Sequence, residues 1–127
     1  METNSRILVV SWNEMLRQTR RLILGTYFET ESAGKMTEAA HLLLEKDFGV
    51  IVLCDTLSDS ECLEVAEIAR VRNPQAKIIL LEALNRDRPA SIMGRRVPCL
   101  AGPLSLLTEC AHVLEVKIGI RNHATVM

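Results

Sequence analysis

Aromatic side chains are scarce: Phe, Tyr and Trp together make up 3% of the 127 residues. That leaves no stacking platform for single-stranded nucleic acid. Neither sign of charge is in excess, since 15 basic residues stand against 16 acidic ones for a net charge of −1. The chain therefore lacks the basic field of a dedicated nucleic-acid binder, and no such partner is expected. No apolar run approaches the roughly 18 residues that span a bilayer, and the opening METNSR has no secretion-signal core. A soluble, cytoplasmic protein with no membrane partner is the expectation. The four cysteines, Cys54, Cys62, Cys99 and Cys110, form no CxxC pair, and His41, His112 and His123 complete no ligand spacing with them. This argues against zinc-ribbon or thioredoxin-like chemistry, and the thiols are read as reduced, buried small hydrophobes. Also missing are the glycine patterns GxGxxG, GxxxxGK[ST] and GxSxG, so dinucleotide, P-loop and hydrolase-elbow sites have no support and no enzyme activity is expected.

What is present is an ordinary globular balance, 48% apolar and 24% charged, at the length of one domain. Residues 1–127 are read as a single domain with its core at about 6–118 and a tail at 119–127. Short β-branched runs alternate with segments of helical period. Ile7-Leu8-Val9-Val10, Val50 to Cys54 and Ile78 to Leu81 are uninterrupted, as in strands covered on both faces. Tyr27 to Ser32 alternates weakly, and Cys99-Leu100-Ala101 is brief; both suit edge strands.

Between them, Met15, Leu16, Thr19, Leu22 and Ile23 predict the inner face of a first helix ending near Gly25, with Arg17, Arg20 and Arg21 on its solvent face. Met36, Ala39, Ala40 and Leu43 predict a second. Ser58 and Glu61 have capping-box spacing ahead of a third, whose inner face is Cys62, Val65, Ala66 and Ala69 and which Asn73-Pro74 stops. Residues 84–97 leave room for at most one short helix, and Ser105 is the expected cap of a last helix carrying Leu107, Cys110, Ala111, Leu114 and Ile118. Such alternation requires a parallel sheet with helices on both faces, a three-layer α/β/α sandwich, with any ligand site beyond the carboxyl ends of the strands.

At those ends stand Ser11-Trp12-Asn13-Glu14, then Asp55 to Asp59, Glu82-Ala83 and Gly102-Pro103-Leu104. In this register ILVV, VIVLCD, KIILLEA and LAGPL resemble the strands of a response-regulator receiver domain, with order and pattern matching over about residues 6–118. The resemblance implies a flavodoxin-like fold with a five-stranded parallel sheet in the order 2-1-3-4-5. It places Asp55 at the family's phosphoacceptor position and makes the expected partner a protein, a sensor kinase or an output protein, with a homodimer possible.

In the family an acidic pair after the first strand holds Mg²⁺, a Thr or Ser follows the fourth strand, and a Lys precedes the fifth-strand Pro. Here the acidic pair corresponds to Ser11 and Trp12, the Thr/Ser position to Glu82 and the Lys position to Gly102, while Pro103 is kept. Neither a hydroxyl alone nor an indole is a useful Mg²⁺ ligand. Glu14 lies in the first turn of its helix, where it complements the dipole. The substitutions remove the family's cations and add an anion; two unit charges 4 Å apart repel by about 4 kcal/mol at an effective dielectric of 20. No metal ligand, no cofactor and no catalytic residue are assigned, and Mg²⁺ binding is disfavoured.

The family's output face contains Arg86, Arg88, Arg95 and Arg96 here, a candidate surface for an acidic partner. Three readings follow: an atypical receiver acting through protein contacts without Mg²⁺-dependent phosphorylation; a phosphoacceptor receiver using Asp55 in a phosphorelay; or a small-ligand binder with its pocket between Trp12, Asp55 and Glu82.

Overall fold

The computed structural model describes residues 5–83, 89–98 and 102–114. Strand β1 (Ile7–Val10) leads to helix α1 (Glu14–Gly25), then β2 (Thr30–Ala33), α2 (Met36–Glu45), β3 (Val50–Leu53), α3 (Asp59–Arg72), β4 (Lys77–Glu82), β5 (Arg95–Pro98) and α4 (Pro103–Val113). All strand pairs are parallel and the sheet runs β2-β1-β3-β4-β5. This is the flavodoxin-like order. Each face is sealed by a separate apolar layer. On one side Ile7, Val9, Val50, Val52 and Ile79 meet Leu24 of α1 and Leu107, Cys110 and Ala111 of α4. On the other, Leu8, Val10, Ile51, Leu53 and Leu80 meet Ala39 and Leu43 of α2 and Cys62, Val65 and Ala69 of α3. The strictly alternating assignment of β1 and β3 residues to the two layers explains why those strands are apolar throughout.

α3 forms as the sequence indicates. Glu61 N donates to Ser58 Oγ, Ser58 N donates to Glu61 Oε1, and Asn73 closes the other end. Buried Asn73 also receives Phe48 N and donates to the carbonyls of Leu43 and Lys46, tying α3 to the loop before β3.

Four expectations change. The second strand begins at Thr30 rather than Tyr27; Phe28 is buried in the core from the preceding turn, and Tyr27 is exposed. The fifth strand is Arg95–Pro98, while Cys99, Leu100 and Ala101 lie outside the described residues, as do Arg86, Arg88 and Ile118. α4 is not capped by Ser105: Pro103 opens it with φ already preset, and Gly102 is the cap residue. Gly102 holds φ +94°, a conformation that costs a residue with a Cβ but not glycine.

The largest change concerns α1. Met15 and Leu22 are 78% and 66% exposed, Leu16 and Thr19 also face outward, and Arg20 and Leu24 are the buried residues. Leu24 enters the core and fixes the helix's rotation. Arg20, one turn earlier, then points inward at the level where the sheet ends in polar groups, which is why a guanidinium is accommodated there.

Candidate functional site

The site is the set of loops leaving β1, β3, β4 and β5. Ser11 is fully buried; its Oγ receives Asn13 N at 3.2 Å and lies 3.4 Å from Thr56 Oγ1. Trp12 N donates to Thr56 Oγ1 at 2.9 Å, and the indole Nε1 donates to Glu61 Oε1 at 3.0 Å. The ring packs, partly buried, against the α2/α3 layer. Trp12 is thus a strut between the β1–α1 loop and the first turn of α3. Glu61 accepts from the Ser58 amide and the Trp12 indole together, and these donors hold its carboxyl below the usual carboxylate range.

Asp55 is half buried after β3, and its Oδ1 is enclosed without a hydrogen-bond partner among the described residues. Beside it, Cys54 is fully buried and its thiol is pushed up to about 11 by burial, against the pull of the neighbouring Arg20 guanidinium, which hydrogen-bonds it. Arg17 Nη1 donates to the Ser11 carbonyl at 3.1 Å. Reading Arg17 and Arg20 as solvent-facing is therefore corrected: Arg17 is half buried, Arg20 is 9% exposed, and both serve the strand ends.

Glu82 does not stand as a bare anion. Its Oε2 receives Arg96 Nη1 at 2.6 Å, and Arg96 Nη2 donates to the carbonyls of Pro89 and Ile92. The estimate of charge repulsion at the β4 end is corrected accordingly, because the carboxylate is neutralised and drawn toward β5. Trp12 and Glu82 are held by opposite neighbours, α3 and β5. Arg96 is committed to this internal bracing; Arg95 is exposed and ion-paired with Glu109. Gly102 sits half buried ahead of α4, with Pro103 as the first helical residue.

Mg²⁺ does not fit this donor set. Asp55 contributes one carboxylate, the Ser11 hydroxyl is engaged by Asn13 and Thr56, and Trp12 offers an indole, which is no Mg²⁺ ligand. Among the described residues no three His, Cys, Asp or Glu side chains converge on a metal position. Sequence reasoning missed Thr56, Glu61's second role and Arg20. Each acts across 30 or more intervening residues, and only Arg20's position four before Leu24 carried a local signal.

No family model and no curated protein matches the sequence. Solved structures do match. A response regulator receiver protein from Sinorhizobium medicae aligns with a TM-score of 0.74 and 16% identity, over 88% of this chain and 95% of that one. A CheY-like response regulator receiver domain protein from Methanospirillum hungatei gives 0.73 and 20%, over 88% and 94%. A structure described as adenylate cyclase from Rhodopirellula baltica gives 0.62 and 20%, over 88% and 93%. The receiver fold is shared. At these identities the likeness is one of fold, which agrees with the strand order above. No helix among the described residues is long and apolar enough to cross a membrane.

Proposed function

We propose that this chain is an atypical receiver module in signal transduction, working by protein–protein contact without Mg²⁺-dependent phosphorylation. The observation that carries the reading is the Trp12–Glu61 and Trp12–Thr56 bracing at the positions where receivers keep their acidic pair. The β1–α1 loop contributes a hydroxyl and an indole tied to α3 rather than carboxylates. The solvent-facing apolar residues of α1, Met15 and Leu22, support a contact role, because exposed apolar side chains on one helix face suit docking of a protein partner. That partner is a sensor kinase, an output protein or a second copy. Intact mass after incubation with acetyl phosphate and Mg²⁺ tests the reading: the mass is expected to stay unchanged, and a stoichiometric phosphoryl adduct overturns it.

One observation favours a second reading. Asp55 Oδ1 is buried and without a hydrogen-bond partner among the described residues, and the Arg20 cation lies against the adjoining Cys54. This supports phosphotransfer to Asp55 from a partner kinase with a guanidinium in place of the metal. It predicts a mass gain without divalent cation that Asp55→Asn abolishes.

A further inference from the structure

The crossovers into β2, β3 and β4 each carry a helix, whereas the described part of the crossover into β5, residues 89–94, forms none. Beside α3, at the amino ends of β4 and β5, lies a cavity of about 550 Å³. All five strands are parallel, so this is the opposite end of the sheet from the Ser11–Asp55 cleft. The volume falls within the range of about 300–1,000 Å³ that holds small organic ligands.

Apolar residues form part of the lining: Ala69, Ile78, Val113 and Met93, the last a long side chain left 65% exposed. The charged residues of the lining are all basic, namely Arg70, Lys77 and Arg95, and no Asp or Glu is among the described residues there. Arg95 has a counter-ion in Glu109. Arg70 and Lys77 are exposed and make no ion pair or side-chain hydrogen bond among the described residues. Arg72, in the same last turn of α3, is by contrast held by Asp47 at 2.8 Å. Two long, solvent-accessible cations without a counter-ion thus border one partly apolar cavity, in a chain whose net charge is −1.

We infer that this cavity binds a phosphomonoester with an organic body of nucleotide size, its phosphate held by Arg70 and Lys77 and its body along Ala69, Ile78 and Met93. A phosphate carries close to two charges and several acceptor oxygens, so it satisfies both cations at once, whereas a monocarboxylate balances one. Inorganic phosphate alone would leave the apolar lining in water, and an uncharged body would leave the cations as they are. The inference is independent of the signalling role, since it invokes neither Asp55 nor a protein partner.

NMR titration of the full chain with AMP, adenosine and inorganic phosphate tests it. AMP is expected to saturate, with shifts centred on the methyls of Ala69, Ile78 and Met93. Adenosine, which lacks the charge, and phosphate, which lacks the body, should each bind at least about tenfold more weakly. Arg70→Gln and Lys77→Gln change exposed side chains and leave the fold in place. Each should weaken AMP about tenfold, the effect of losing one charge-assisted hydrogen bond. Arg72→Gln removes the same charge from the same helix end but outside the cavity, and AMP binding should be unchanged. The inference is overturned if AMP does not saturate the wild-type protein or if adenosine or phosphate binds as tightly as AMP. It is equally overturned if neither Arg70→Gln nor Lys77→Gln weakens AMP, or if Arg72→Gln weakens it as much as they do.

Discussion

Trp12 sets the character of the strand-end cleft because one side chain spans two loops. Trp12→Phe keeps the ring and removes the Nε1 donor, so it should cost on the order of 1 kcal/mol in urea denaturation. It should also raise the Glu61 titration midpoint, read from the side-chain carboxyl carbon by NMR. The sign follows from the depressed carboxyl: Glu61 adds stability that is complete above its ordinary value of 4.5 and is lost as pH falls through the lower folded value. In Trp12→Phe that loss should move to higher pH. Asp55→Asn removes a charge from a half-buried group whose Oδ1 has no hydrogen-bond partner among the described residues, so the variant should be at least as stable as the wild type. A marked destabilisation would show that the carboxylate has a structural partner. Cys54 and Cys110 are held neutral, pushed up by burial to about 11 and about 12, and should resist iodoacetamide at pH 8 until the protein unfolds. The expectation of buried, reduced thiols holds for Cys54, Cys62 and Cys110. Ser58–Glu61 was legible as a cap because its partners are three residues apart, whereas the indole that shares Glu61 comes from 49 residues earlier.

Among the elements, α3 could be read in full and α1 could not. In α3 the apolar face, the cap and the stop coincide, so the inner face Cys62, Val65, Ala66 and Ala69 is also the buried one. In α1 the expected stripe is only partly the inner face: Met15, Leu16, Thr19 and Leu22 stay outside, Ile23 packs half buried against the core, and Leu24 enters it. Periodicity finds a stripe but does not say whether the chain's own sheet or another surface covers it. The two rotations are separable by experiment. Leu24→Ala should cost about 2–5 kcal/mol as a core truncation, whereas Met15→Ala and Leu22→Ala should each stay within about 0.5 kcal/mol. Equal losses at Leu22 and Leu24 would mean that the helix is turned toward the stripe. The cap of α4 was misassigned for a related reason: Ser105 has the right chemistry, but Pro103 starts the helix two residues sooner.

For the molecule as a whole, five β-rich segments separated by helical ones dictated a layered parallel sheet, and the order 2-1-3-4-5 came from the receiver resemblance and is the order observed. The core strands were legible because residues buried on both faces are apolar without interruption. The cleft was less so, since neutralisation of Glu82 by Arg96 and the inward turn of Arg20 depend on side chains brought together by the fold. We propose that the cleft excludes Mg²⁺ through its ligand set, the Asp55 carboxylate beside a tethered indole, rather than through a surplus of negative charge. Trp12, the single tryptophan, stands at the position under test. Its fluorescence during titration with beryllofluoride and Mg²⁺ reports directly on that claim: the account predicts no change in intensity or wavelength, and a saturable change that requires both the metal and Asp55 would contradict it.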